Sequence, residues 1–293
     1  MERGWVFALI VLCSMGALAQ PQGASGWTKL IDEGKCKEAE KLCTASLNAT
    51  SILEQTEAHK CLANVALCGH SIIQLEGDDV GGGNIHGGYE AAATDEALAH
   101  LDAALKFSPQ DLSIHQGRLH LLEISTRYDQ MLKAIEESCT IYKGSGAPQA
   151  WLAYVDELNE SRQYRIALEF MKVLEKHYPD DPDVIANVGA FLMILRRDAE
   201  ALPYLKRAVE MAPNDPINVW DLGRAYDYAG ETKLADEWYQ KALPLMKDPE
   251  ELHHSTCIYA EFVATKLNQT ARACEMQKKN CAEDQQTACK EKK

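Results

Sequence analysis

The side chains with the most chemical potential in this chain are its cysteines, and their spacing points to crosslinking rather than catalysis. Cys36 and Cys43 are seven residues apart, as are Cys61 and Cys68. Seven residues is two helical turns, so each pair lies along one helix face. If residues 35–47 and 52–75 form antiparallel helices about a turn near Ile52, Cys36 meets Cys68 and Cys43 meets Cys61. The C-x6-C spacing does not match the short-loop ligand pairs of common structural zinc sites. The C-x2-C of thiol–disulfide enzymes is absent. At the other end stand Cys257, Cys274, Cys281 and Cys289, which allow three pairings. A turn near Asn268 and Gln269 sets Cys257 opposite Cys281, and Cys274 and Cys289 can pair if the tail after Asp284 folds back. Cys139 falls on the buried side of a helix and reads as a small core hydrophobe.

The other chemistry-bearing residues form no recognisable machinery. The Gly-rich run Gly77 to Gly88 has no Gly-Lys-Ser/Thr, so it is not a phosphate loop. Asp78, Asp79 and His86 lack the closing acid of a calcium loop. The run reads as a flexible insertion or, second, as a partner-binding or cap-covering loop. The nine histidines show no metal constellation: His115 and His120 are five apart on different helix faces, and His253 and His254 point apart. No Ser or Cys nucleophile stands in an elbow, and no carboxylate pair stands out from a generally acidic chain. The expectation is no catalytic residue, no metal and no cofactor.

The elements that hold these residues follow from a repeat. Pro148, Pro182 and Pro216 are evenly spaced, and Pro179 and Pro213 keep the same interval. Ala167, Ala201 and Ala235 recur at that spacing, as do Met171, Leu205 and Tyr239. Leu222-Gly223 with Tyr226, and Val188-Gly189 with Leu192, complete the pattern. In these residues and in the length of the interval the chain resembles the tetratricopeptide repeat family, whose unit is a 34-residue pair of antiparallel helices. The resemblance implies an all-α fold, a right-handed α-α superhelix of about seven helical hairpins. Small residues such as Gly189 and Gly223 let helices approach, and larger ones such as Tyr239 fill the space around them. Asp181-Pro182 and Asp215-Pro216 start units, because proline is accepted in a helix's first turn. Pro203 and Pro244 are expected inside second helices, and no alternating strand pattern is visible.

The resemblance also implies a use, binding of a protein or peptide in a concave groove lined by the first helix of each unit. Carried onto this sequence, the groove positions are Leu152, Asp156 and Asn159, then Asp183, Asn187 and Ala190, then Trp220, Asp221, Arg224 and Asp227. Trp220 falls either on the groove or, one residue off register, in the core. The family's carboxylate clamp is not carried over: Asn187 fits one of its places, while Leu152, Asp156, Ile217 and Asp221 occupy others. The implied surface is acidic and suits a partner with a basic or amphipathic segment.

Composition agrees. The chain has 293 residues, 46% hydrophobic and 25% charged, and a net charge of -14, which disfavours binding to nucleic acid. Residues 1–19 read as a signal peptide: Arg3, the apolar run from Trp5 to Cys13, then Ala17-Leu18-Ala19. The run is too short to span a membrane. Export to a secreted or periplasmic location, or to the secretory lumen of a eukaryote, puts the remaining cysteines where disulfides persist. In a eukaryote Asn48, Asn159 and Asn268 are glycosylation acceptors. The expected organisation is a stapled helical segment at 20–76, the Gly-rich insertion at 77–93, a solenoid at 94–249 and a cysteine-rich cap at 250–293. The function expected is a non-catalytic binding scaffold. The alternative is a metal-dependent or thiol–disulfide accessory factor using the Gly-rich loop or the paired cysteines.

Overall fold

A computed structural model describes residues 26–77, 83–141, 147–282 and 286–289. The expected signal peptide lies outside the described residues, as does the tip of the Gly-rich run. Helices dominate, and the chain divides into two compact units, one ending at His177 and the other starting at Tyr178.

The first unit contains α1 (Gly26–Asp32), α2 (Cys36–Ala45), α3 (Ile52–Leu67), α4 (Ala91–Phe107), α5 (Leu112–Ile124), α6 (Tyr128–Ile141), α7 (Ala147–Glu160) and α8 (Tyr164–His177). Two strands, β1 (Ser71–Gly77) and β2 (Gly83–Tyr89), stand between α3 and α4. The second unit contains α9 (Pro182–Ile194), α10 (Asp198–Met211), α11 (Pro216–Tyr228), α12 (Thr232–Ala242), α13 (Pro249–Thr265) and α14 (Thr270–Asn280). Successive helices pair as hairpins, α3 with α4, α5 with α6, α7 with α8, α9 with α10, α11 with α12 and α13 with α14.

The three hairpins of the second unit start on the same local chemistry. Asp181 accepts hydrogen bonds from the amides of Asp183 and Val184, Asp215 from that of Asn218, and Asp248 from that of Glu251. Each satisfies amides that a helix start leaves without intrahelical partners, and the following Pro182, Pro216 or Pro249 has no N–H to lose. The turn inside successive hairpins places Thr126, Arg162, Arg196 and Gly230 in the left-handed region. The last three are separated by the same interval as the prolines, so the repeat extends to backbone conformation.

Two sequence expectations are corrected. The helix expected over 52–75 ends at Leu67, and Gly77 and residues 83–89 of the expected insertion belong to an antiparallel strand pair running from Ser71 opposite Tyr89 to Gly77 opposite Gly83. Gly69, at φ 82°, takes a left-handed conformation that stops the helix, and the β-branched Ile72 and Ile73 that follow favour extended backbone. The sequence does not announce the hairpin, because β2, Gly-Asn-Ile-His-Gly-Gly-Tyr, has glycines where a strand usually has large residues. Its last residue, Tyr89, packs against the core made by Ala63, Leu67, Ala97, Leu101 and Ile114. The second correction concerns Pro244: α12 stops at Ala242 and Pro244 lies in a 3-10 turn, whereas Pro203 does lie inside α10.

The structure joins cysteines at both ends. In the structure Cys36 is bonded to Cys68 and Cys43 to Cys61, with Cα separations of 5.8 and 6.0 Å, tying α2 to the interior of α3 and to the residue that ends it. Cys257 is bonded to Cys281 and Cys274 to Cys289, at 5.7 and 4.7 Å. The second of these holds the tail against α14, where the buried Gln277 side chain accepts a hydrogen bond from the Ala288 amide at 2.8 Å. Cys139 is a buried thiol on α6, 4% exposed.

Candidate functional site

In the second unit, α9 and α11 are the first helices of their hairpins and carry most of the residues expected to line a groove. Trp220 does not belong with them. It is 7% exposed, and its ring centroid lies 4.6 Å from that of Tyr239 on α12, so it is a core residue. The partner-binding role expected for Trp220 is therefore corrected. Tyr239 also meets Phe262 at 5.2 Å and Tyr259 at 5.8 Å, so an aromatic cluster joins α11 and α12 to α13.

The charged residues of α11 are largely committed to one another. Arg224 donates to Asp221 at 3.1 Å, and Lys266, the residue that follows α13, stands 3.6 Å from Asp227. Only 13% of the Asp221 side chain and 18% of the Asp227 side chain are exposed. Burial pushes the Asp221 carboxyl above the usual aspartate range, while Arg224 pulls it the other way. The guanidinium groups of Arg224 and Arg196 lie 5.9 and 4.6 Å from the ring centre of the exposed Tyr228. On α9, Asn187 donates to the carbonyl of Asp183 in its own helix. Asp183 is exposed, its carboxyl raised by partial burial and then by Asp181 and Asp215. This face therefore has two paired acids and an exposed Asp183, a less negative surface than a count of its acids suggests.

In the first unit, α5 and α7 take the equivalent positions. Asp156 and Asn159 are exposed on α7, and partial burial and Glu160 raise the Asp156 carboxyl. Beside them lies a cluster the sequence reading missed. His120 Nδ1 on α5 is 3.5 Å from Glu123 Oε2 and 4.0 Å from Glu157 Oε2 on α7. The phenol of Tyr154, buried at 3% exposure, donates to Glu123 Oε2 at 3.0 Å. Burial raises the Glu157 carboxyl, with His120 opposing and Glu123 and Glu160 reinforcing. Histidines taken singly gave no hint of this group. The period did contain it, since His120 and Tyr154, and likewise Glu123 and Glu157, are one repeat apart.

No family model matches the sequence, and no curated protein matches it. Solved structures do. The C-terminal part of a TPR repeat-containing protein from Cytophaga hutchinsonii is 14% identical, with a TM-score of 0.50 over 90% of this chain and 98% of that one. YrrB, described as a TPR protein with an unusual peptide-binding site, is 18% identical over 64% of this chain and 95% of its own, with a TM-score of 0.44. MamA from Desulfovibrio magneticus RS-1 is 23% identical over 57% of this chain and 92% of its own, also at 0.44. The constant period, the paired helices and the match along nine-tenths of the chain agree: this is an all-α protein with the tetratricopeptide repeat fold.

Proposed function

We propose that this chain is an exported, non-catalytic scaffold that binds a protein or peptide on the faces of its first helices. The observation that carries the reading is the sidedness of α7 and α9. The first buries Trp151, Val155 and Leu158 and exposes Asp156, Asn159 and Glu160. The second buries Val184, Ile185 and Val188 and leaves Asp183 exposed. The hydrophobic effect accounts for the buried stripe, and the acids are left available for recognition. Carboxylates there attract a basic or amphipathic segment, with an attraction that salt weakens. Cysteine pairs at both ends and the apolar leader at Gly4 to Ala19 support an oxidising, exported setting. Among the described residues, no helix is long and apolar enough to cross a membrane.

The test is affinity capture by the chain starting at Gln20, from the extracellular or periplasmic fluid of the producing cell. Each unit is probed by its own variant, Asp156→Lys with Glu160→Lys in the first and Asp183→Lys in the second. Loss of capture in either variant, and its weakening by salt, supports the reading. Undiminished capture by both variants excludes these faces, and loss on removing residues 78–82 instead assigns binding to the β-hairpin. Export is tested separately: an N-terminus at Gln20 supports it, and a retained residue 1–19 segment counts against it.

A further inference from the structure

Among the described residues, one group of three metal-competent side chains converges, His120, Glu123 and Glu157, whose ligand atoms all lie within 4.8 Å of one another. We propose that these residues form a binding site for a divalent first-row transition metal ion, bridging the first helices α5 and α7 of consecutive hairpins. The site is independent of any partner and of the groove reading above.

The spacing is the first argument. Ligands at the 2.0–2.1 Å distances typical of zinc stand about 3.3–3.4 Å apart on a tetrahedron. His120 Nδ1 and Glu123 Oε2 are already 3.5 Å apart, and His120 Nδ1 and Glu157 Oε2 4.0 Å apart. Small rotations of the Glu157 side chain, 58% of which is exposed, close the remainder. Three protein ligands leave a fourth position for water or another ligand.

The second argument is the support behind the ligands. Tyr154 fixes the Glu123 carboxylate by donating to the oxygen that faces His120, and Tyr154 is itself locked in the core beside Phe170, 5.4 Å between ring centres. A carboxylate oxygen has a further lone pair for a metal, so this hydrogen bond orients the ligand without consuming it. Two carboxylates and a neutral imidazole carry a charge that a divalent cation balances. The mixed nitrogen and oxygen set favours zinc and its neighbours over magnesium or calcium, which take oxygen alone.

The third argument is the repeat. Stacking places equivalent positions of consecutive hairpins side by side. One position holds His120 and then Tyr154, a ligand and its support; the other holds Glu123 and then Glu157, two ligands. In the second unit the same positions are Val188 with Phe191 and Leu222 with Ala225, which have no donor atoms. The second unit therefore holds no counterpart of the site at these positions.

Calorimetric titration of zinc chloride into the chelator-stripped full chain, near neutral pH, tests the proposal. The expected result is one saturable site that Glu157→Gln and His120→Gln each weaken about tenfold or more. Glu160→Gln, which removes a neighbouring charge but no ligand, is expected to change affinity by no more than about twofold. Circular dichroism checks that each variant is helical, and cobalt in place of zinc gives a visible spectrum that Glu157→Gln moves to about tenfold or more higher cobalt concentration. Should His120→Gln fail to fold, the exposed Glu157 and the cobalt spectrum still decide. The proposal is overturned by the absence of saturable binding, by unchanged affinity in Glu157→Gln, or by an equal loss in Glu160→Gln, which would mean diffuse attraction to an acidic surface.

Discussion

Gly189 on α9 lies so close to Leu205 on α10 that a Cβ placed on the glycine would stand 2.7 Å from the leucine Cγ. One repeat on, Gly223 stands in the same relation to Tyr239, with a Cβ 2.9 Å from the tyrosine ring and 3.3 Å from its backbone nitrogen. These glycines set how closely the two helices of a hairpin approach. Gly189→Ala is expected to destabilise the protein by about 1–3 kcal/mol through overpacking. Gly223→Ala should cost at least as much, since part of its obstacle is backbone. Chemical denaturation measures both, and a variant as stable as the parent would show that the hairpin opens without cost.

Trp220 illustrates how one position changes a functional expectation. Its ring packs on Tyr239 rather than facing solvent. Trp220→Ala is therefore expected to cost about 3–5 kcal/mol of folding stability, as removal of a buried large aromatic does. Any loss of partner binding should follow unfolding and disappear under conditions where the variant is folded. A variant of unchanged stability with impaired binding would return Trp220 to the surface.

Mapping of non-reduced peptides is expected to give Cys36–Cys68, Cys43–Cys61, Cys257–Cys281 and Cys274–Cys289. Each closes a loop of 15 to 32 residues in sequence separation. A crosslink of that kind typically adds about 2–4 kcal/mol by restricting the unfolded chain. Hydrogen exchange after reduction should accelerate first in α2, α3 and α14, while α9 to α12, which contain no cysteine, stay protected. Four free thiols among Cys36, Cys43, Cys61 and Cys68 would contradict the arrangement.

Acid should weaken the first unit. Burial holds His59, His100 and His115 below the ordinary imidazole value of 6.5, aided at His59 by His100 and Lys106 and at His115 by Arg118. Glu96 opposes at His100, and the Pro109 carbonyl and Asp111 oppose at His115. As pH falls below 6.5 the unfolded chain takes up protons before the folded one. The stability these rings contribute is full above that value and is lost as pH falls through their lowered folded values. The raised carboxyls of Asp156, Glu157, Asp183 and Asp221 work in the opposite sense, in the more acidic range just above the ordinary carboxylate values. Thermal melts from about pH 7.5 to about pH 5.5 should therefore fall, and a His59→Gln/His100→Gln variant should fall less. Equal slopes for parent and variant would remove these two rings as the cause.

The sequence by itself determined the fold, because the features that specify it act within a single hairpin. The constant period, the Asp-Pro starts and the seven-residue cysteine spacing all report helix phase, which neighbouring residues set through backbone hydrogen bonding and sterics. Asp156, Asn159 and Asp183 are exposed on first helices for the same reason. What only the tertiary structure decided depends on how neighbouring elements are placed. Trp220 is core rather than surface because one residue of register turns a helical side chain by about 100°, and its partner Tyr239 lies on another helix. Asp221 and Asp227 are paired because Arg224 and Lys266 reach them, the latter from the end of α13. The β-hairpin at Ser71 to Tyr89 rests on cross-strand pairing that a glycine-rich strand does not announce. His120, Glu123 and Glu157 meet because stacking two hairpins brings positions one repeat apart in sequence together, with ligand atoms within 4.8 Å of one another. Local periodicity tells which face a residue occupies; only packing tells which residue stands opposite.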